Sequence, residues 1–410
     1  MPPILQDLQD VLRGFKMTLD FNKLFSAVLG IILSVIWVLV VIVFASAYKL
    51  IDASPFELVS VLISPKLGLC SFFQVALSSI QTVSLGGYAV LVVLVLGLLA
   101  IWSVFAGSIT RLATVEFAKG EKLGTQESIA FSTKRFWSYF WCPLTPVLGV
   151  LFFIACNVIG GLLGKIQIAG ELAVAIGFPL AILSGFLIVF IGVIGFIGFF
   201  LMYPTISTEG SDTFDAMSRA YSYVLSRPAH FLSLLICILV CGAILAYFTS
   251  LVACAVMQTT YYTVGFGMGA KFETIREFLA VVGGGGTSAA LGGVTMKFAA
   301  LMMMLYIILV KVLVGGIVVA FAGSASTIAY LILRKDVDGT ELFDVYTEEE
   351  EVVPETNENS GAPGTEEKAA EVKAPEKPAP KPAPEPPKAD ENKPPDESSG
   401  GNGSSSERPE

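Results

Sequence analysis

One histidine, His230, and six cysteines, Cys70, Cys142, Cys156, Cys237, Cys241 and Cys254, are the only imidazole and thiol groups in the 410 residues. A lone histidine leaves little room for a His-based metal site or for Ser-His-Asp catalysis. No cysteine spacing suits zinc, and thiols inside apolar runs behave as small hydrophobes; Cys237 and Cys241, one helical turn apart, read as packing. Phosphate-binding and calcium-binding patterns fail in the same way. The segment Gly265 to Lys271 reads GFGMGAK and lacks the following Ser or Thr of a phosphate loop. Asp336, Asp338, Glu341 and Asp344 cluster, but Gly339 directly follows Asp338, which suits a helix-ending turn rather than a calcium loop. The polar groups left to consider are Lys311, the one charged residue between Phe298 and Leu333, and a set that follows apolar stretches: Arg111, Glu116, Arg219, Arg227, Arg334 and Asp338. Such a set can tie helix ends together, and guanidinium groups suit lipid phosphates. Capping and phosphate holding are expected here rather than catalysis. No catalytic residue, cofactor or metal is expected.

The composition explains why. Hydrophobic residues make up 54% of the chain and charged ones 15%, against about 25% charged in a soluble domain. Up to Lys335 there are 19 Lys+Arg and 14 Asp+Glu; beyond it there are 7 and 21. The acidic balance therefore belongs to the C-terminal tail, and nucleic acid is not an expected partner. A spanning helix needs about 20 apolar residues. Six stretches meet or approach that: Leu24–Tyr48, Tyr88–Ile109, Pro146–Leu163, Phe178–Tyr203, Phe231–Val256 and Leu301–Ser324. The first is too long for a signal peptide and reads as a retained helix. Twelve Lys and Arg fall on one side of these spans and six on the other. That asymmetry puts both termini in the cytoplasm of a cell whose inner membrane holds the protein.

An all-α polytopic bundle of about six spans is the expected fold, arranged as three copies of an interfacial helix followed by a hairpin. Residues 1–23 form the first interfacial helix, with Leu5, Leu8, Leu12 and Phe15 on its apolar face. Ile129, Phe136, Trp137 and Phe140 line the second. Phe214, Met217, Tyr221, Val224 and Leu225 line the third. Two of these helices open alike, at Thr125 and Thr213, where a threonine hydroxyl is expected to cap and a nearby carboxylate to meet the positive helix end. Such helices suit the membrane interface with the apolar side down. The spans occupy 24–335 and pack through small residues at helical spacing: Ser26, Gly30 and Ser34; Gly192, Gly195 and Gly198; Gly316, Ala320 and Ser324. Lys311 is expected to snorkel to the outer interface, the alternative being a polar path through the bundle. The run Gly283–Gly286 with Gly292 and Gly293 reads as a flexible hinge or re-entrant turn. A linker at 336–347 leads into 348–410, which holds 12 of the 21 prolines and is too polar to bury a core. Its Pro-Lys-Pro-Glu text favours extended, disordered chain; a spacer outside the cytoplasm is the alternative and needs an odd number of spans.

Three stretches, GSITRLATVEFAKGEKLG, FDAMSRAYSYVLSRPAHF and YLILRKDVDGTELFDVY, resemble uncharacterised bacterial polytopic membrane proteins with the same motifs after alternate spans. The resemblance covers Gly86 to Tyr346, and the last motif is its most specific part. The interfacial-helix-and-hairpin layout is more loosely similar to the membrane domain of glycerophosphodiester phosphodiesterases, whose hydrolytic domain has no counterpart here. The resemblance implies an architecture and no substrate. The function expected is therefore a non-enzymatic membrane organiser or assembly scaffold. It would contact membrane lipids and, through the tail, other membrane or cytoplasmic proteins. The alternative is a transporter or channel for a small solute or lipid.

Overall fold

The computed structural model describes residues 14–15, 17–50, 61, 69–78, 85–282, 293–342 and 344–346. The first interfacial helix, apart from its last residues, the Gly283–Gly286 turn and the 348–410 tail lie outside the described residues. Among the described residues there is no strand, and the helices run α1 Phe21–Ala47, α2 Leu69–Ser78, α3 Leu85–Lys119, α4 Thr125–Lys134, α5 Phe136–Trp141, α6 Leu144–Leu163, α7 Ala169–Glu209, α8 Thr213–Ser226, α9 Pro228–Met268, α10 Ala270–Val282 and α11 Gly293–Asp338. Six of them, α1, α3, α6, α7, α9 and α11, are long and apolar enough to cross a bilayer. Helices answer the demand of lipid because every backbone N–H and C=O is satisfied within the segment. The protein is an all-α polytopic membrane bundle.

The six pair as hairpins α1–α3, α6–α7 and α9–α11, and the second limbs α3, α7 and α11 also pack on one another. These three form the centre, with α1 against α3 and α11, α6 against α7, and α9 against α11. Small residues sit at the crossings. A Cβ on Gly316 would lie 2.8 Å from Val28, one on Gly323 2.6 Å from Ile109 and one on Gly30 3.0 Å from Phe105. The closest approach is at Gly97, where a Cβ would fall 2.1 Å from the Trp37 ring. The Trp37 indole N–H donates to the Leu94 carbonyl at 3.2 Å, so the ring cannot retreat without losing that bond. Gly97→Ala should therefore cost about 1–3 kcal/mol, the range for overpacking a filled site. A detergent unfolding titration with an unshifted midpoint would show that the ring has room to move.

The helices outrun the apolar stretches that mark them. α7, α9 and α11 contain 41, 41 and 46 residues, roughly 60–70 Å of helix against about 30 Å of hydrocarbon. The end of the apolar stretch is not the end of the helix. α3 continues past Ile109, α7 past Tyr203 and α11 past Ser324, and their extensions meet at one end of the bundle, the polar end. Each central helix stops at a glycine with positive φ: Gly120 (71°), Gly210 (65°) and Gly339 (67°). At Gly210 the left-handed turn lets its N–H reach the Ile206 carbonyl at 3.0 Å and reverses the chain towards α8.

The connecting helices roof this end. α8 buries Thr213, Ala216, Ala220, Tyr223 and Val224 against the bundle and leaves Phe214 and Leu225 exposed. The second connecting helix breaks at Arg135 into α4, which buries Ser128, Phe131 and Ser132, and the aromatic α5. The expected apolar stripes therefore split in two. Small and hydroxyl residues seat the helix on the bundle, while bulky ones such as Phe214 and Trp137 face outward, as the aromatic belt of a membrane interface does. The caps also differ from expectation. Asp212, not Thr213, caps α8 by accepting from the Asp215 N–H at 3.0 Å. Gly124 precedes α4, and its N–H donates to the Glu127 carboxylate at 3.4 Å. A cap needs extended backbone one residue ahead of the helix, and each threonine already lies inside the first turn.

Candidate functional site

The polar end is built from hydroxyl residues clustered on the central helices. Ser108, Thr110 and Thr114 lie on α3, Thr205, Ser207 and Thr208 on α7, and Ser324, Ser326 and Thr327 on α11, all of them buried. Thr110 and Thr114, Thr205 and Thr208, and Ser324 and Thr327 lie three or four apart and so share a face. Several hydroxyls first satisfy themselves by donating to a carbonyl four residues back, as Thr114 does to Thr110 at 2.9 Å. They then join helices. The Thr110 and Ser207 hydroxyls are 2.6 Å apart, those of Tyr139 and Ser207 2.8 Å, and those of Ser108 and Ser128 2.7 Å. Burial pushes the Tyr139 phenol well above its ordinary pKa, so it stays a neutral hydrogen-bonding group.

Two buried guanidinium groups lie on this layer. Arg111, 6% exposed, donates to the Ser207 carbonyl at 2.7 Å and to the Tyr346 carbonyl at 2.8 Å, and it stacks over the Phe131 ring at 4.3 Å. Arg334, 5% exposed, pairs with Glu209 at 2.7 Å and donates to the Asp344 carbonyl at 2.6 Å. The Tyr330 hydroxyl donates to the same Glu209 carboxylate at 3.1 Å. Between the two arginines, residues 344–346 cross the ends of α3 and α7 as a strap. The Tyr346 N–H donates to the Thr208 carbonyl at 2.8 Å, and the Arg135 guanidinium stacks on the Tyr346 ring at 4.6 Å while donating to the Gly210 carbonyl. Three arginines thus hold main-chain carbonyls, and the strap ends where the acidic tail begins.

Further out, the Tyr223 hydroxyl donates to Asp338, and Arg219 pairs with Asp215 at 3.1 Å and approaches Asp338 at 3.9 Å. Burial and the Asp338 charge push the Tyr223 phenol up to about 12. Arg227 lies 3.6 Å and His230 3.3 Å from Asp336. On the opposite flank the buried Lys23 ammonium donates to Glu116 at 2.5 Å and to the Met17 carbonyl at 3.3 Å. Asp20 caps α1 and pairs with Lys122 at 3.1 Å. Desolvation opposes the Asp20 charge, but the Asn22 N–H and the Lys122 ammonium outweigh it and hold its pKa below the ordinary value. The ionised cap therefore stabilises the fold above the ordinary carboxylate pKa, and that contribution fades as pH falls.

The six charged residues singled out by sequence are thus distributed over the polar end. Arg111 and Arg334 hold the strap, Arg219 and Asp338 meet beside α8, Arg227 joins Asp336, and Glu116 serves α1 on its own. The two buried arginines spend their donors on protein oxygens. Arg219 and Arg227, 37% and 57% exposed, remain open to a headgroup phosphate. Lys311 lies away from this end, in the body of α11, where its ammonium donates to the Val61 carbonyl at 3.4 Å. That contact ties α11 to Val61 of the connection between α1 and α2. Sequence reasoning gave no site role to Lys23, Arg135, Tyr139, Ser207, Glu209, Tyr330, Asp344 and Tyr346. The available signal was the density of Ser and Thr inside Ser108–Thr114 and Thr205–Thr208, unusual at the end of an apolar helix.

Chemically, the polar end is a cross-linking device whose charges answer one another across helices. Among the described residues no group of His, Cys, Asp and Glu is placed to hold a metal ion. Clefts of about 280 and 310 Å³ lie elsewhere, one lined by Trp37, Val41, Phe44 and Val90, the other by Pro146, Val150, Gly192 and Phe199. No family model, no curated protein and no solved structure matches the chain.

Proposed function

We propose that this is a non-enzymatic protein of the cytoplasmic membrane that organises other membrane components, a platform whose polar end faces the cytoplasm and fixes the root of a tethering tail. The observation that carries the reading is the strap: two buried arginines and a backbone hydrogen bond hold residues 344–346 against the central helices, so whatever follows Tyr346 leaves from a set point. Gripping carbonyls rather than side chains suits an anchor, because the hold does not depend on side-chain identity. The orientation is supported by the excess of Lys and Arg at this end. Membrane lipids are the proposed partners of Arg219, Arg227 and the outward aromatics of α5. Cytoplasmic or membrane proteins are the proposed partners of the tail.

The test compares the full chain with one ending at Tyr346, each purified from its native membrane with quantified co-purifying proteins and lipids. The platform reading expects a discrete set of proteins to fall at least ~10-fold on truncation, with the bundle still folded. Unchanged co-purification, or solute flux from vesicles reconstituted with the truncated chain, would replace it with a transporter reading. Reporters at Gly120 and Gly364 should both report the cytoplasm.

A further inference from the structure

α6, the first limb of the α6–α7 hairpin, is the least buried of the six spans. In its most apolar stretch α6 is 6% buried, whereas α1 is 44% buried in its own. α6 packs along α7 and, at its base, on α5. Within this lipid-facing pair sits one amide. Asn157, half-exposed, accepts a hydrogen bond from the Ser184 hydroxyl at 2.6 Å, and its Nδ2 has no acceptor among the described residues. Asn157 lies about 20 Å along α6, with Phe153, Ile154, Val158 and Ile159 around it, and acyl chains carry no acceptor. One turn away, at Gly160 and Gly161, a Cβ would meet nothing within 4 Å, so a second backbone can come close.

We infer that this hairpin is the contact between two copies of the chain, closed around a reciprocal pair of Asn157 amides on a two-fold axis. The amide supplies the argument for a second copy rather than a foreign helix. It carries a free donor and an acceptor with a spare lone pair on one planar group. A two-fold axis therefore sets each donor against an identical group's acceptor, with no other residue required. In lipid, where apolar burial gives helices no reason to associate, an interhelical amide bond and close backbone approach supply that reason. The inference does not rest on the platform reading, since a transporter could dimerise in the same way.

The experiment uses the full chain with donor or acceptor fluorophores fused after Glu410, reconstituted in lipid vesicles and followed by energy transfer as lipid is added. Wild type should dissociate along a monomer–dimer curve. Asn157→Leu should weaken association by about 3- to 30-fold, which corresponds to the ~0.6–2 kcal/mol of a membrane hydrogen bond. Gly161→Leu, whose Cβ meets nothing within 4 Å in the monomer, should weaken it by blocking close approach. Ser184→Ala should leave it within twofold, because it removes only the bond inside the hairpin. A wild type that stays monomeric at the highest density overturns the inference. So does equal association of wild type, Asn157→Leu and Gly161→Leu, or a different protein held at this hairpin in equal amount with no energy transfer between copies.

Discussion

Arg334→Leu should destabilise the bundle by about 3–5 kcal/mol, the cost of breaking a buried ion pair from one side. The pair it breaks is short, 2.7 Å from Arg334 Nε to Glu209 Oε1, with the two side chains 6% and 15% exposed. Leucine fills much of the space, so the penalty is mainly electrostatic: the Glu209 carboxylate keeps one donor, the Tyr330 hydroxyl at 3.1 Å, and the Arg219 charge, but loses its paired guanidinium. The Asp344 carbonyl loses its donor as well. A second substitution separates these causes. Glu209→Gln retains an oxygen for Tyr330 and removes the charge, so the Arg334→Leu, Glu209→Gln double variant should recover about half of the loss. What remains is an unpaired carbonyl, about 1–3 kcal/mol. Reversible unfolding in mixed micelles measures all three. A single variant less than ~1 kcal/mol below wild type, or a double variant no better than the single, would mean that water already reaches this pair.

How far the sequence led depends on what kind of partner each residue has. The spans were readable because lipid imposes a composition rule on some 20 consecutive residues, which a run such as Leu24–Tyr48 satisfies unaided. Their true ends were not, because helix propagation past Ile109, Tyr203 and Ser324 depends on the other two central helices continuing beside them. The second and third connecting helices lie where the apolar spacing puts them, but that spacing does not show which face each one packs on the bundle. Bulk marks Phe214 and Leu225 as apolar, whereas the surface that meets the bundle is built of Ala216 and Ala220, whose value lies in letting helices approach. Among the charged residues, Arg111 and Arg334 were noticed because charge beyond an apolar run is conspicuous. Their partners were invisible, because the carbonyls of Ser207, Asp344 and Tyr346 carry no side-chain signal. Lys23 and Glu116 are both legible as charges, yet nothing local pairs residues 93 positions apart. The Val61 carbonyl that receives Lys311 is the same case, since the two lie 250 positions apart.

The strap offers the sharpest test of this main-chain recognition, through Arg111→Lys. Charge is retained, so a purely electrostatic role would survive. The geometry would not: one guanidinium now spans the Ser207 carbonyl at 2.7 Å and the Tyr346 carbonyl at 2.8 Å while lying 4.3 Å over Phe131, and a lysine ammonium on its flexible stem lacks that planar fork. Ser207 sits in a helix and is the better-ordered acceptor, so the bond to Tyr346 is the one lost. A hydrogen bond to a charged group contributes about 1.5–3 kcal/mol, so the strap should open about 10- to 100-fold more often. Hydrogen exchange at the Tyr346 N–H, now donated to Thr208 at 2.8 Å, reads that opening directly, and protease cleavage after Tyr346 should rise with it. The central bundle should lose little, since Thr110, Tyr139 and Ser207 keep their hydroxyl contacts. Arg111→Met should open the strap further and also destabilise α3 against α7, because the Ser207 carbonyl then loses its donor too. If exchange at Tyr346 is equally slow in wild type and both variants, the strap is held by Arg334, the Thr208 carbonyl and the Arg135 stack on the Tyr346 ring. The set exit point of the tail would then owe nothing to the α3 limb.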